Sequence, residues 1–351
     1  MTNTPPSCDI FCVVVDNYGD AGVCWRLAHQ LASEHGWRVR LWIDDLAPLL
    51  RLAPDYATGP VEVRSWSKPW PSHWPASDTT DIVIEAFACE PPLPYVEAMA
   101  ARARAPVWLN LEYLSAEHWV AGCHGMASPH PRLPLVKHFF FPGFAPPTGG
   151  LLHEQNYDAR RQSFDGPAFR RELGLPPKLP DELTISLFSY ENPALPELQH
   201  AWSNASRPIR LLWPGSSETA CTIGTLSVHP LPFLPQVRYD ELLWACDLNF
   251  VRGEDSFVRA QWAGKPFVWQ TYPQSGNAHL TKLDAFLAIH PAGAQLKAFW
   301  HAWNRQGTPD WTAFSAALPG LAEPMQLWAS MLAARPDLAG QLVQFCIQRL
   351  K

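Results

Sequence analysis

Along the first third of the chain, short β-branched apolar runs alternate with amphipathic stretches, the pattern of βαβ units on a parallel sheet. The run 10–15 is continuously apolar, as a strand buried on both faces must be. After a polar turn, residues 21–35 put Val23, Leu27, Ala28 and Leu31 on one helical face, and Gly36 ends that helix. Further strands are predicted at 38–43, 61–64, 81–86, 107–110 and 137–141, with helices near 46–52, 95–104 and 116–119. The period breaks through Gly149-Gly150, Arg160-Arg161 and the Pro-rich stretch 175–180, and a new strand starts at 183–188. The domain boundary is therefore set there, giving domains at 1–180 and 181–335. The second holds helices at 195–204, 238–246 and 256–263 and strands at 209–213, 226–229, 248–251 and 266–270. From residue 279 onward the period is helical. The last segment, 338–350, repeats Leu338, Leu342, Val343 and Ile347 at helical spacing, so a helix at 336–351 is expected to pack back on the first domain and complete it.

Length agrees with two domains, since 351 residues exceed the roughly 100–200 usual for one. Charged residues are 17%, hydrophobics 47%, and Trp reaches 17 copies, which excludes an intrinsically disordered chain. Lys and Arg total 27 against 33 Asp and Glu, a net charge of -6, so no broad basic face for nucleic acid or anionic lipid is expected. Residues 1–9 carry no Lys or Arg, and the first apolar run stops at Asp16, too short for a signal segment. No stretch approaches the ~18 apolar residues that span a bilayer, and a cytoplasmic protein is expected. The 8 cysteines show no paired zinc-finger spacing and the 13 histidines no HExxH cluster, so the cysteines read as buried free thiols and no built-in metal site is expected.

In open α/β sheets ligands bind at the carboxyl ends of the strands, and two strand-to-helix segments carry candidate chemistry. The first is Asp16-Asn17-Tyr18-Gly19-Asp20-Ala21-Gly22, with two carboxylates and two glycines in one turn. Glycine allows close backbone approach, and an acidic residue at a helix start is favoured by the dipole. Asp20 as a simple helix cap and Asp16 as a loop-bracing residue fit the same pattern. The stretch is not GxGxxG, so a dinucleotide fingerprint is absent. The second is Val251-Arg252-Gly253-Glu254-Asp255-Ser256, running into a helix with Asp255 or Ser256 as its N-cap. Free N–H groups of the first turn, the dipole and Arg252 suit a diphosphate, while Glu254 suits sugar or ribose hydroxyls because it accepts two O–H donors. An ordinary capped helix with a surface Arg252–Glu254 pair is the alternative. Phe188-Ser189-Tyr190 and the loop Phe233-Leu234-Pro235-Gln236 follow strands and offer aromatic faces to a base, or are core. Asn110 ends a strand of the first domain. The tryptophans at 66, 70 and 74 form either a partner surface or filling between elements.

The stretches from Asp16 to Ala28, Leu109-Asn110-Leu111-Glu112-Tyr113-Leu114-Ser115, and above all Arg252-Gly253-Glu254-Asp255-Ser256-Phe257-Val258-Arg259-Ala260-Gln261 resemble the EarP family, bacterial protein-arginine rhamnosyltransferases that modify elongation factor P. The segments 81–89, Tyr272-Pro273-Gln274, His279 and Lys282 add to the resemblance, which spans nearly the whole chain. It implies an α/β, GT-B glycosyltransferase with two Rossmann-like domains facing a central cleft, acceptor side on the first and nucleotide sugar on the second. It further implies dTDP-β-L-rhamnose as donor, one arginine of elongation factor P as acceptor, inversion of the anomeric centre, and no metal or other cofactor. Carried over by motif, Asp20 resembles the catalytic base, Asp16 its essential neighbour, and Glu254 the second essential carboxylate, on the donor. Arg252, Asp255 and Ser256 fall where the diphosphate is held, and Gly253 belongs to the substrate-binding set. Phe188 and Phe233 match positions around the thymine, Gln236 a base contact, and Tyr190 a donor-side contact, while Tyr18, Gly19 and Asn110 join the substrate-binding set.

Guanidinium keeps its proton at ordinary pH and offers no lone pair. A carboxylate pair at Asp16 and Asp20 would orient it by bidentate hydrogen bonds and take a proton as the C–N bond forms. Two other classes stay open on sequence: a nucleotide-sugar epimerase of similar architecture, which needs no protein acceptor, and a non-catalytic nucleotide-sugar sensor, for which both aspartates are dispensable.

Overall fold

The computed structural model describes residues 4–66, 70–291, 293–305 and 307–350. Residues 1–3, the stretch 67–69 of the Trp-rich loop, and residue 351 of the expected terminal helix lie outside the described residues. The chain divides into two compact units, Met1–Gln155 with Arg335–Lys351, and Asn156–Ala334.

In the first unit, β1 (Ser7–Cys12), β2 (Arg38–Ile43), β3 (Val61–Ser65), β4 (Ile82–Ala86), β5 (Val107–Leu111), β6 (Ala127–Pro129) and β7 (Val136–Phe140) form one sheet in the order β3-β2-β1-β4-β5-β7-β6. All neighbours are parallel except β6, which pairs antiparallel with β7. The apolar run at 10–15 is only partly strand. The ladder stops at Cys12, and Val15 stands 62% exposed in the following loop. Helix α1 (Tyr18–Ser33) covers the sheet through Val23, Leu27, Ala28 and Leu31, all buried. Trp66 and Trp74 are buried against Phe11, Trp42, Tyr95 and Trp108, with Trp70 packed on the cluster, so the Trp-rich loop fills space over one sheet face.

The second unit contains β8 (Leu183–Leu187), β9 (Ile209–Pro214), β10 (Cys221–Ile223), β11 (Leu226–Leu231), β12 (Leu248–Arg252) and β13 (Phe267–Gln270), ordered β10-β11-β9-β8-β12-β13. Again only the edge hairpin, β10 with β11, is antiparallel. β6 and β10 are three-residue edge strands that no apolar run announced.

Two expectations need correction. The boundary lies at 155/156, not 180, because the helices Tyr157–Gln162 and Gly166–Glu172 bury Tyr157 and Phe169 in the second unit. Tyr157 accepts a 2.7 Å bond from Trp244 Nε1, and the Arg170 guanidinium donates to Glu182. The C-terminal helix Leu338–Arg349 belongs to the first unit, but its inward face is Leu338, Ala339, Leu342 and Cys346, leaving Ile347 41% exposed. Five of the free cysteines are buried, Cys89 and Cys123 are half-buried, and Cys221 is exposed. Among the described residues no helix is long and apolar enough to cross a membrane.

Candidate active site

A doubly wound sheet opens a crevice where neighbouring strands send their connections to opposite faces. In the first sheet that switch point is between β1 and β4, and in the second between β8 and β12. Both candidate motifs follow strands of those pairs.

After β1, the backbone turns through Asn17, a non-glycine at φ 35°, into α1. Asp20 is neither the N-cap nor exposed. It sits in the first helical turn, 1% accessible, and its carboxylate reaches back past the helix start. Oδ2 accepts the N–H groups of Val15 and Asp16, each at 2.8 Å, and Oδ1 accepts the Tyr113 hydroxyl at 3.1 Å. Burial pushes the Asp20 carboxyl above its ordinary value, the three donors pull it down, and the charge of Asp44 adds to the rise. Asp16, also buried, carries its carboxylate against the Cα of Gly19, whose N–H bonds the Asp16 carbonyl at 2.6 Å. Tyr18 is half-buried, and its hydroxyl accepts from Arg51 at 3.0 Å. Two carboxylates are thus brought together within one turn, a pairing suited to a planar guanidinium.

The same neighbourhood holds residues that the sequence did not single out. Tyr113 stacks on Phe87 with centroids 4.1 Å apart and planes 10° from parallel. Phe87 and Ala88 lie at φ 58° and 56°, in the left-handed region that non-glycine residues rarely occupy. Asn110, named as a substrate contact, is 1% exposed and braces this turn. Its Oδ1 accepts the Ala88 N–H at 3.0 Å, and its Nδ2 donates to Glu112 at 2.5 Å. Nothing in the sequence signals the conformation of Phe87, although Tyr113 stands inside a quoted motif.

After β12, Gly253 takes φ 62° and Glu254 is the N-cap residue of the helix Asp255–Ala263, one position earlier than expected. The Arg252 guanidinium lies between two rings, 4.4 Å from the Phe188 centroid and 4.5 Å from that of Tyr190, and Nη1 donates to the Ser189 carbonyl at 3.4 Å. Ser256 Oγ accepts the Arg252 N–H at 3.0 Å and donates to the Arg252 carbonyl, closing the strand-to-helix turn. Gln236 donates to Asp255 at 3.0 Å, so its amide here serves the first turn of the helix. Phe233 packs beside Gly215 at the end of β9. Gln270, at the end of β13 and absent from the expected set, accepts the Tyr190 N–H at 2.9 Å. The helix is anchored by Arg259, which grips Asp240 with two 2.8 Å bonds; both side chains are fully buried. Arg252, Phe188, Tyr190, Phe233, Asp255 and Ser256 therefore converge at the carboxyl ends of β8, β9 and β12. A helix N-terminus with a guanidinium and aromatic faces beside it has the makings of a nucleoside-diphosphate site.

A family model described as Elongation-Factor P (EF-P) rhamnosyltransferase EarP matches residues 8–347. A protein-arginine rhamnosyltransferase of Pseudomonas putida strain KT2440 is 47% identical over 371 residues, covering 96% of this chain and 97% of the relative. A solved structure concerned with EarP-mediated arginine glycosylation of translation elongation factor EF-P aligns with TM-score 0.68 and 35% identity, over 98% of this chain and 99% of that one. The glycosyltransferase SnogD from Streptomyces nogalater, 12% identical, aligns with TM-score 0.52 over 98% of this chain and 100% of its own, a likeness of fold alone. The fold is GT-B.

Proposed function

This chain belongs to the EarP family and is a protein-arginine rhamnosyltransferase; on that footing we propose that it transfers L-rhamnose from dTDP-β-L-rhamnose to one arginine of elongation factor P. The reading includes inversion at the anomeric carbon, no metal or other cofactor, and action in the cytoplasm, where the translation factor works.

The observation that carries it is the Asp20 carboxylate, buried and clamped by two backbone N–H groups and one hydroxyl beside Asp16. A nitrogen of the acceptor guanidinium attacks the anomeric carbon on the face opposite the diphosphate, and one such displacement inverts that centre. The C–N bond forms as the C–O bond to dTDP breaks. The nitrogen proton passes to Asp20, and the electron pair leaves with the diphosphate. Asp16 and Asp20 share the work of orienting the guanidinium plane, so proton transfer depends on geometry more than on base strength.

On the donor side the diphosphate charge is assigned to the first turn of the helix Asp255–Ala263 and to Arg252, with Ser256 shaping the turn, Glu254 taking sugar hydroxyls, and Phe188 and Phe233 flanking the base. Arg252 leaves its stack on Phe188 and Tyr190 to meet the phosphate, and the two rings are then available to the nucleotide.

The test incubates purified protein with dTDP-β-L-rhamnose and unmodified elongation factor P and reads intact mass. One added deoxyhexosyl unit, undiminished by EDTA, is expected. An unmodified factor in the presence of folded protein overturns the acceptor or donor assignment, and activity lost to EDTA and restored by magnesium overturns the metal-free reading.

A further inference from the structure

We infer that Tyr113, held in place by Phe87, is a positioning residue that makes Oδ1 of Asp20 the atom receiving the guanidinium proton. The inference rests on the reading of Asp20 as proton acceptor and extends it to two residues that the proposed mechanism leaves unassigned.

The argument starts from lone pairs. Each carboxylate oxygen offers two acceptor positions. Oδ2 of Asp20 takes two N–H donors, from Val15 and Asp16, and both belong to a backbone turn that cannot withdraw them without unravelling the start of α1. Oδ1 accepts the Tyr113 hydroxyl at 3.1 Å. The proton can therefore be received at Oδ1, and the direction of the remaining lone pair is set by where the Tyr113 hydroxyl lies.

That hydroxyl is fixed from behind. The Tyr113 ring lies flat on Phe87 at 4.1 Å, and Phe87 reaches this position through a backbone conformation that costs a non-glycine residue on the order of 1 kcal/mol. The strained turn is itself pinned by Asn110 Oδ1 on the Ala88 N–H and by Phe87 N–H on the Leu111 carbonyl at 2.7 Å. Strain kept at the carboxyl end of the β4 strand, directly across the switch point from Asp20, is explained when its product, an immobile tyrosine hydroxyl, is needed there. A donated hydroxyl stabilises the carboxylate more than the acid formed once the proton has arrived, so it favours the ionised, proton-accepting form.

Among the described residues, titratable side chains bear on Asp20 from the elements around it: Asp16 on its own turn, Cys24 one turn along α1, Asp44 after β2, and Tyr113 after β5. Of these, Tyr113 donates its hydroxyl to the Asp20 carboxylate. Removing that donor must shift ionisation of Asp20 upward, a change that a purely space-filling tyrosine would not produce.

The experiment compares single-turnover transfer to elongation factor P across pH for the unaltered protein, Tyr113→Phe, Phe87→Ala, Phe87→Tyr and Asp20→Asn, with melting temperature and dTDP affinity measured for each. Tyr113→Phe keeps the ring and its stack, so it reports on the hydroxyl alone. Its plateau rate should fall about tenfold, the worth of one hydrogen bond to a charged group, the acid limb of its profile should move to higher pH, and dTDP affinity should not change. Phe87→Ala should slow transfer in the same sense, and Phe87→Tyr, which keeps the stack, should recover most of the rate. An unaltered profile in Tyr113→Phe, or a rate loss that follows only the melting temperature, overturns the inference while leaving Asp20 in its role. Wild-type transfer by Asp20→Asn instead overturns the base assignment, and the positioning role with it.

Discussion

Gly19 and Asp16 are packed so closely that a β-carbon on Gly19 would collide with Oδ2 of the Asp16 carboxylate and lie 3.1 Å from its Cγ. Gly19 is the second residue of α1 and has an ordinary helical backbone, so conformational freedom is not the reason for glycine here. Close approach is. The close approach at the start of the helix fixes where the Asp16 carboxylate points.

Gly19→Ala separates that role from stability. Alanine favours a helix by up to about 1 kcal/mol over glycine, and the colliding atom is the end of a side chain that can swing away, so the melting temperature should change little. Transfer should nevertheless drop by at least about tenfold, because a misplacement near 1 Å in a positioning group has effects of that order or larger. Melting curves and transfer rates on one preparation check this, and a parallel loss of both would show that Gly19 serves folding.

The two motif turns are legible in the sequence because each joins an apolar strand run to a helix through Asp, Gly or Ser, and both lie at the carboxyl ends of strands that flank a switch point. The helices at 156–180 were not, since a Pro-rich stretch after Leu175 looked like a linker. Asp165, whose carboxylate caps Ala168 N–H at 2.9 Å, with Pro167 in the first turn, was a start signal that could have been read. On the last helix Leu338 and Leu342 of the expected stripe are buried, but Ala339 and Cys346, small and weakly apolar, fill the rest of the buried face in place of Val343 and Ile347. Phe87 lay beyond reach: its left-handed backbone is imposed by Asn110 and Leu111, and tertiary contacts of that kind leave no local pattern.

Asp20→Asn should slow the chemical step by about 100-fold or more, the scale of a general base, with dTDP binding unchanged by calorimetry. Its effect on stability has a definite sign. The folded carboxyl titrates above its unfolded value because burial penalises the charge. Such a group weighs against folding at neutral pH, and the burden is relieved as pH falls through the folded pKa. Asparagine carries no charge and keeps an acceptor for the Val15 and Asp16 N–H groups, so the variant should melt at the same temperature or higher near pH 7. A collapse of the melt, or loss of dTDP binding, would make Asp20 a structural or donor-side residue.

The same shift sets the acid side of the activity profile. Proton acceptance needs ionised Asp20, whose pKa is raised, so kcat/KM should begin to fall on acidification at a higher pH than an ordinary aspartate would give. Asp44→Asn removes a charge that contributes to the rise and should move that limb to lower pH. A limb that stays in place in Asp44→Asn would mean that another group governs it.

Arg252 distinguishes the donor half-site from the acceptor half-site. Its guanidinium lies between Phe188 and Tyr190 and donates a long hydrogen bond, at 3.4 Å, to the Ser189 carbonyl, which holds the charge at the strand ends. At a diphosphate the guanidinium gains a charge-assisted bond of about 1.5–3 kcal/mol, against about 0.5–1 kcal/mol for each ring contact. Arg252→Ala should then weaken dTDP and dTDP-rhamnose alike by about tenfold or more, and Arg252→Lys should recover part of the loss, since lysine supplies charge without the planar fork. Neither variant should alter the pH at which transfer fails on the acid side, because that limb belongs to Asp20. Titration calorimetry of both nucleotides into each variant measures the first effect and a pH series the second. Equal dTDP affinity in Arg252→Ala and the unaltered protein would remove Arg252 from the diphosphate site and leave its stack on Phe188 and Tyr190 as a purely structural contact.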